Sequence, residues 1–359
     1  MGKLLETSHR IIMSDARRMK NVADQSIDLV VTSPPYPMVQ MWDDLFCACD
    51  PAIANAVEYC DPNLAFKQMH RHLDKVWDEV VRVLKPGGIA CINIGDATRS
   101  FNDHFQLFAN HAEIISRLTA KGMSQLPTIL WRKITNAPTK FMGSGMLPPG
   151  AYVTLEHEYI LIFRLGGRRE FLRSAQKRLR YQSAIFWEER NTWFSDIWMD
   201  LYGVTQTIDK GDGRQRSAAF PIELPYRLIC MFSLKGESVL DPFLGTGSTM
   251  VAAMCAARKS VGYELEKGLQ KVILERAAAA PELAAQIIDQ RLEAHKSFVI
   301  ERTRAKGPLK YRNRMYGFPV MSRQEEELYL QPVRQLQHIS NGHIKLNHGQ
   351  DYGEPTAHA

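Results

Sequence analysis

The 359-residue chain contains no apolar run near the ~18 residues that a membrane-spanning helix needs. Its opening, MGKLLETSHR, has no apolar stretch of the kind a secretory leader uses, so a cytoplasmic, nucleoid-associated protein is expected. No Cys-x-x-Cys pair occurs. The six cysteines, Cys47, Cys49, Cys60, Cys91, Cys230 and Cys255, are scattered, which argues for reduced thiols rather than a disulfide framework or a zinc site. Cys47 and Cys49 flank a single alanine, a weak spacing for a metal, and no metal site is expected. The glycine-rich turn LGTGST lacks the Gly-Lys pair of a phosphate-binding P-loop. It also lacks the third glycine of a dinucleotide fingerprint, since Met250 stands there.

What is present is ordinary globular composition, 45% hydrophobic and 23% charged. The net charge of +6 is unevenly spread. RLGGRREFLRSAQKRLR (164–180) carries seven basic residues against Glu170, and ERTRAKGPLKYRNR (301–314) carries six against Glu301. The rest of the chain is therefore net acidic. Such patches suit a polyanion docked on one face, although a charge run can also be a solvated helix face.

HRIIMSD (9–15) and DLVVTS (28–33) read as strands covered on both faces, because their apolar runs do not alternate. Residues 37–66 read as a long irregular insertion, a lid or a dimer contact. Met69, Leu73, Val76, Trp77, Val80, Val83 and Leu84 recur at helical spacing until KPGG (85–88) stops the helix. IACINIGD (89–96) is the next strand, followed by a helix near 104–120 and strands near 126–134 and 157–165. Residues 166–215 break this rhythm. They mix arginines with Phe171, Tyr181, Phe186, Trp187, Trp193, Phe194, Trp198 and Tyr202, which suits nucleic acid or a small satellite core. A helix over 220–233, a strand over 237–243, the glycine turn with its apolar helix, and a strand over 259–266 follow. Beyond about residue 300 loose packing is expected. Strands alternating with helices predict an α/β fold with a doubly wound parallel sheet.

Two short stretches carry chemistry. TSPPY (32–36) ends a buried strand on two prolines, which cannot continue a ladder. Its plain reading is a rigid strand-to-loop turn, but strand ends are where open α/β sheets bind ligands. DPFLGTGST (241–249) lies between a strand and a helix, where glycines admit a ligand close to the backbone. One strand later Glu264 can accept both hydroxyls of a ribose.

TSPPY, DPFLGTGST and GYE (262–264) together resemble the S-adenosylmethionine-dependent amino-methyltransferases of DNA. The tetrapeptide precedes the glycine loop with a recognition segment between, as in the permuted beta group. RVLKPGG (82–88), HEYILIF (157–163) and FPIELPYRLICMFS (220–233) extend the resemblance over roughly residues 10–280. It implies a Rossmann-like class I methyltransferase sheet in circularly permuted motif order. The expected organisation is a catalytic half (1–165), an inserted target-recognition region (166–215), a cofactor half (216–299) and a basic, polar tail (300–359). SPPY rather than DPPY usually accompanies N4-cytosine, with N6-adenine the alternative. An RNA or protein amide methyltransferase, or a non-catalytic DNA-binding subunit, ranks behind both. Duplex DNA is the implied partner, and a homodimer and a cognate restriction endonuclease are compatible with the family. One departure stands out: where the family often has a histidine before FPxEL, this chain has Arg216 and Ser217.

Carried over by position, Ser33, Pro34, Pro35 and Tyr36 are the implied catalytic residues. For the cofactor, Asp241, Pro242, Phe243, Gly245, Gly247 and Thr249 form the glycine-loop side, and Glu264 meets the ribose hydroxyls. Leu265 and Asp15 lie near the adenine, and Phe220 and Glu223 wall the pocket. Arg168, Arg169, Arg173, Lys177, Arg178 and Arg180 are the implied DNA contacts. The chemistry asks for acceptors. An exocyclic amine has its lone pair delocalised into the ring, so Ser33 Oγ and the Pro34 carbonyl would draw on its hydrogens as positive charge develops. Tyr36 would stack on the base once it leaves the duplex.

Overall fold

A computed structural model describes residues 5–59, 61–102, 104–133, 142–202, 220–340 and 342–349. Cys60, Arg216 and Ser217 lie outside the described residues. The chain opens with β1 (Leu5–Met13) and β2 (Ile27–Thr32), whose six residues IDLVVT are all buried. The expected irregular insertion instead folds as two short helices, α1 (Asp43–Cys49) and α2 (Pro51–Glu58). Proline starts α2, and the Asp50 side chain caps it by accepting from Ala52 N. The same device opens α3 (Pro62–Val83), where Asp61 accepts from Leu64 N. Its apolar stripe from Met69 to Val83 is buried against the sheet.

β3 (Leu84–Ile94) begins earlier than expected, running through KPGG with Gly87 at φ +79°. The helix expected near 104–120 forms as α4 (Asn110–Ala120) but starts later, because a hairpin of β4 (Ala97–Phe101) and β5 (His104–Phe108) precedes it. Next come β6 (Met123–Gln125), β7 (Ile129–Arg132), the short hairpin β8 (Met142–Gly143) with β9 (Ala151–Tyr152), and β10 (His157–Leu165). α5 (Ser174–Gln182), α6 (Trp187–Trp193) and β11 (Ile197–Trp198) follow. After Phe220 come α7 (Glu223–Phe232), β12 (Ser238–Asp241), α8 (Ser248–Cys255) and β13 (Lys259–Glu264). α9 (Leu269–Ala278) leads into the long α10 (Ala280–Lys306), and β14 (Tyr311–Arg312), β15 (Pro319–Val320), β16 (Val333–Ser340) and β17 (His343–His348) close the described chain.

One sheet organises all of this, in the order β11-β7-β10-β3-β2-β12-β13-β1-β17-β16, with β6 also paired to β10. Its centre, β3-β2-β12-β13-β1, is parallel throughout. β10 and β17 are antiparallel to their neighbours. Helices cover both faces, with α3 and α4 against one core cluster and α7, α8, α9 and α10 against the other.

Two expectations are corrected. The region after 300 is not a loose tail up to residue 349. β17 pairs with β1 from Leu5↔His348 to Arg10↔His343, and buried Thr7, His9 and His348 lock the join. The aromatics of 186–198 largely face inward. Phe186, Trp193 and Trp198 are buried, Phe186 stacks on His295 at 4.1 Å, and Arg291 pairs with Glu189. The satellite-core alternative holds for these three, while Trp187 and Phe194 stay exposed.

Candidate active site

Because β1, β2, β12 and β13 run parallel, their carboxyl ends emerge at one edge of the sheet. There they enclose a cavity of about 640 Å³, within the range of small-molecule sites. β2 delivers Ser33, Pro34, Pro35 and Tyr36 to it. β12 delivers Asp241, Pro242, Phe243 and Gly245, β13 delivers Glu264 and Leu265, and β1 delivers Asp15. Phe220 lines it from the turn before α7. The 37–66 segment supplies a wall through Val39, Trp42, Leu45, Phe46 and Cys49, so it forms part of the pocket.

The glycine loop is shaped by a carboxylate. Glu264 Oε2 accepts from Gly245 N at 2.8 Å, and Oε1 accepts from Glu266 N at 2.8 Å. Gly245 has φ +54° and Gly247 φ +87°, both left-handed. A Cβ on Gly245 would meet nothing closer than Phe243 O at 3.9 Å, so the loop leaves open space there. Behind it, Asp241 Oδ1 accepts from Thr32 Oγ1 at 2.6 Å and from Phe243 N at 3.0 Å. Burial pushes the Asp241 carboxyl up to about 6, while those bonds and one from Thr249 hold it down. Asp15 is also partly buried, which raises its pKa, but hydrogen bonds from Arg17 outweigh this and leave it lowered. Arg17 in turn reaches His72 Nε2 at 2.6 Å.

Three implied cofactor residues do not line the cavity. Gly247 caps α8 and packs against Ile273, where a Cβ would sit 3.0 Å from Cγ2. Thr249 is buried beneath the loop, 3.4 Å from Val31 O. Glu223 is turned to Arg227, accepting from Nε at 3.1 Å, and Arg227 also holds Asp200. These residues shape the walls from behind.

Tyr36 sits in a polar cluster that the sequence did not announce. Its hydroxyl accepts from Ser33 Oγ at 3.2 Å and from Asn93 Nδ2 at 2.9 Å, and it donates to Glu158 Oε2 at 2.9 Å. Burial and then the Glu158 carboxylate raise the Tyr36 pKa well above its usual value. Lys133 Nζ donates to Glu158 Oε1 at 2.9 Å. Glu158 reaches Tyr36 because β10 runs antiparallel to β3, with Tyr159 opposite Ile94. Gly95, next along β3, leaves the space: its Cβ would lie 3.0 Å from Tyr36 Cε2 and 3.4 Å from Glu158 Cγ. The only sequence trace of Glu158 is its place in HEYILIF.

The implied DNA-binding stretch lies elsewhere. Arg169 forms a two-pronged ion pair with Glu237, at the amino end of β12, and packs where a Gly87 Cβ would be. That is the sheet edge opposite the cavity, about 20 Å away for six-residue strands. Arg168 precedes it and Arg173, Lys177, Arg178 and Arg180 follow it, all exposed, and none lines the cavity. Arg180 lies over the Phe171 ring at 4.9 Å, and Arg178 approaches Glu327 at 3.7 Å. The described cysteines are free thiols, and no His/Cys/Asp/Glu cluster among the described residues suits a metal.

Comparison with known proteins decides the family. A profile of the DNA methylase family of N6 and N4 enzymes matches residues 27–275. The chain belongs to this family. The methylase is 48% identical over 343 residues to type II methyltransferase M.MthZI of Methanothermobacter thermautotrophicus, covering 95% of each chain. It is 50% identical over 283 residues to type II methyltransferase M.MjaI of Methanocaldococcus jannaschii, covering 76% of this chain and 92% of the relative. Among solved structures, TTHA0409 of Thermus thermophilus, assigned as a DNA modification methylase, matches with a TM-score of 0.58. It is 31% identical and covers 76% of this chain and 94% of that one, in a complex with S-adenosyl-L-methionine. The cytosine-N4-specific PvuII DNA methyltransferase shares the fold, at a TM-score of 0.51 and 14% identity over 79% of this chain and 93% of that one. The methylase thus has the class I methyltransferase fold. Its cavity suits an adenosyl sulfonium: the Glu264 carboxylate lines it beside a glycine loop that admits close approach, and Phe243 and Leu265 are apolar.

Proposed function

We propose that the methylase transfers a methyl group from S-adenosylmethionine to the exocyclic N4 amine of cytosine in duplex DNA, with the base turned out of the stack. What carries this reading is the shared cavity, into which the Ser33–Tyr36 bend and the Phe243–Gly245 loop project from neighbouring strands. S-adenosylmethionine supplies a methyl group electrophilic enough that no covalent bond to the protein is needed. Glu264 would hold the ribose hydroxyls and Asp15 and Leu265 the adenine, with Phe220, Asp241, Pro242, Phe243 and Gly245 along the remaining wall. Ser33 Oγ and the Pro34 carbonyl would accept the amine hydrogens, and Pro35 fixes that carbonyl. The half-buried Tyr36 ring offers a face for the extruded base. Serine at the head of the tetrapeptide favours cytosine over adenine N6.

The duplex would cross the carboxyl edge of the sheet, where Ser33 and Tyr36 open into the cavity. The names of the type II relatives suggest a restriction endonuclease sharing the target sequence.

The test is labelled methyl transfer to mixed-sequence duplex, digestion to nucleosides and mass spectrometry. N4-methylcytosine is expected. N6-methyladenine would move the assignment to the other base, and unlabelled DNA with cofactor bound would refute it. Ser33→Ala should lower single-turnover transfer by about 10²–10³-fold with cofactor affinity kept.

A further inference from the structure

Behind Ser33 a line of hydrogen bonds leads away from the cavity into the sheet. Its directions follow from donor chemistry. The Lys133 ammonium can only donate and the Glu158 carboxylate only accepts. The Asn93 NH₂ donates to Tyr36 Oη and, at 2.7 Å, to Glu158 Oε2. Turning that amide round would set its oxygen against the carboxylate. The Tyr36 hydroxyl also accepts from Ser33, so its own proton points at Glu158. Asn93 is 2% exposed, and its Oδ1 finds no protein partner among the described residues. A buried, unpaired amide oxygen is costly, and a purely structural asparagine would avoid it.

We propose that Ser33, Tyr36 and Glu158 form the exit route for the proton that the target amine loses, with Glu158 as the terminal acceptor, held by Lys133 and Asn93. This rests on the reading that the amine docks at Ser33. When the nitrogen lone pair forms the new bond to the methyl carbon, the pair of the breaking bond stays with the donor, and the nitrogen becomes cationic. An amine proton passes to Ser33 Oγ, leaving its bonding pair on nitrogen. Ser33's own proton moves to Tyr36 Oη, and Tyr36's moves to Glu158 Oε2. The amine ends neutral and methylated, both hydroxyls are restored, and the carboxylate has become a carboxylic acid. Tyr36 passes the proton without holding charge. Glu158 acts through Tyr36 and is a positioning and proton-accepting residue. Among the described residues, the charged group facing it is Lys133, from the end of β7, while Tyr36 and Asn93 face it as neutral groups.

The test uses the full chain with Glu158→Gln, Tyr36→Phe and the double variant, each shown to bind S-adenosylmethionine by calorimetry within threefold of wild type. Glutamine keeps an acceptor for Tyr36 but takes no proton, and phenylalanine keeps the stacking ring but breaks the line. Each single variant should slow single-turnover transfer about 10²-fold or more. The double variant should be no slower than the slower single one, because both cut the same route. Multiplying losses, or a Glu158→Gln rate within threefold of wild type, would overturn the proposal. A second readout needs no turnover: the ¹³Cζ resonance of Tyr36 should titrate at lower pH in Glu158→Gln. An unchanged titration would break the link and overturn the proposal. Failure of the underlying reading looks different, since wild type itself would then yield no methylated base.

Discussion

Glu264→Gln separates two tasks of one carboxylate, and the geometry sets a different magnitude for each. In the protein as it stands, Glu264 ties the glycine loop by accepting from Gly245 N and Glu266 N, each at 2.8 Å. A glutamine has one acceptor oxygen and one NH₂, so one backbone donor loses its partner. That costs about 1–3 kcal/mol of stability, or a melting temperature lower by about 1–2 °C for each kcal/mol in a chain of this length. The second task is to receive the ribose hydroxyls. Hydrogen bonds to a charged acceptor contribute about 1.5–3 kcal/mol, which converts to roughly 10–150-fold in the dissociation constant for S-adenosylmethionine. Calorimetric titration with S-adenosylmethionine and with the demethylated product measures the second, and thermal unfolding without ligand measures the first. A lowered melting temperature with affinity within threefold of wild type would refute the ribose assignment and leave Glu264 as a loop tie alone.

Gly247→Ala should cost about 1–3 kcal/mol of stability, because φ +87° is strained for alanine and its Cβ would press on Ile273; an unchanged urea midpoint would refute this. Alanine at Arg173, Lys177, Arg178 and Arg180 together should leave single-turnover transfer within about twofold, since these residues follow the sheet edge opposite the cavity; a tenfold loss would mean the duplex reaches that edge. Burial pushes His9 and His348 down from 6.5, to about 3 and about 4. The unfolded chain binds their protons below pH 6.5 and the folded one does not, so stability is level above that pH. It falls by about 1.4 kcal/mol per unit per histidine as pH drops towards 4. Urea unfolding should therefore show lower stability at pH 5 than at pH 7, and equal values would refute the burial argument.

The central strands were legible because a strand covered on both faces carries an apolar run without alternation, as Leu29–Val31 and Val239–Leu240 do. The α3 stripe was legible for the corresponding helical reason. Residues 37–66 were misread because short helices such as α1 and α2 leave little periodicity, and their three prolines look like breaks. In fact Pro51 and Pro62 open helices. The end of the chain was misread because β16 and β17 are polar in composition. β17 is placed by pairing with β1, and β16 by pairing with β17, and no local window contains β1. The place of the basic stretch in the fold was not legible. Charge reports solvation and says nothing of which sheet edge a segment occupies. That follows from β10 running antiparallel to β3 and so delivering residues 166–173 to the amino edge.

The site was legible where chemistry demands a residue type at a fixed spacing, and illegible where it demands only adjacency in space. Ser33 and Gly245 announce themselves within their own motifs. Glu158 lies more than a hundred residues from Tyr36 and meets it only through register. The same distinction accounts for the motif order. β2 and β12 are neighbours, paired at Leu29↔Val239 and Leu240↔Val30, although the chain needs over two hundred residues to pass from one to the other. The Thr32–Asp241 hydrogen bond, 2.6 Å and buried, ties the strand bearing the acceptor site to the strand bearing the donor site. In the proposed function the approach of methyl group to amine would thus be set by sheet register and one side-chain bond. The covalent path between the two halves is free to run in either order, because it contributes nothing to that geometry.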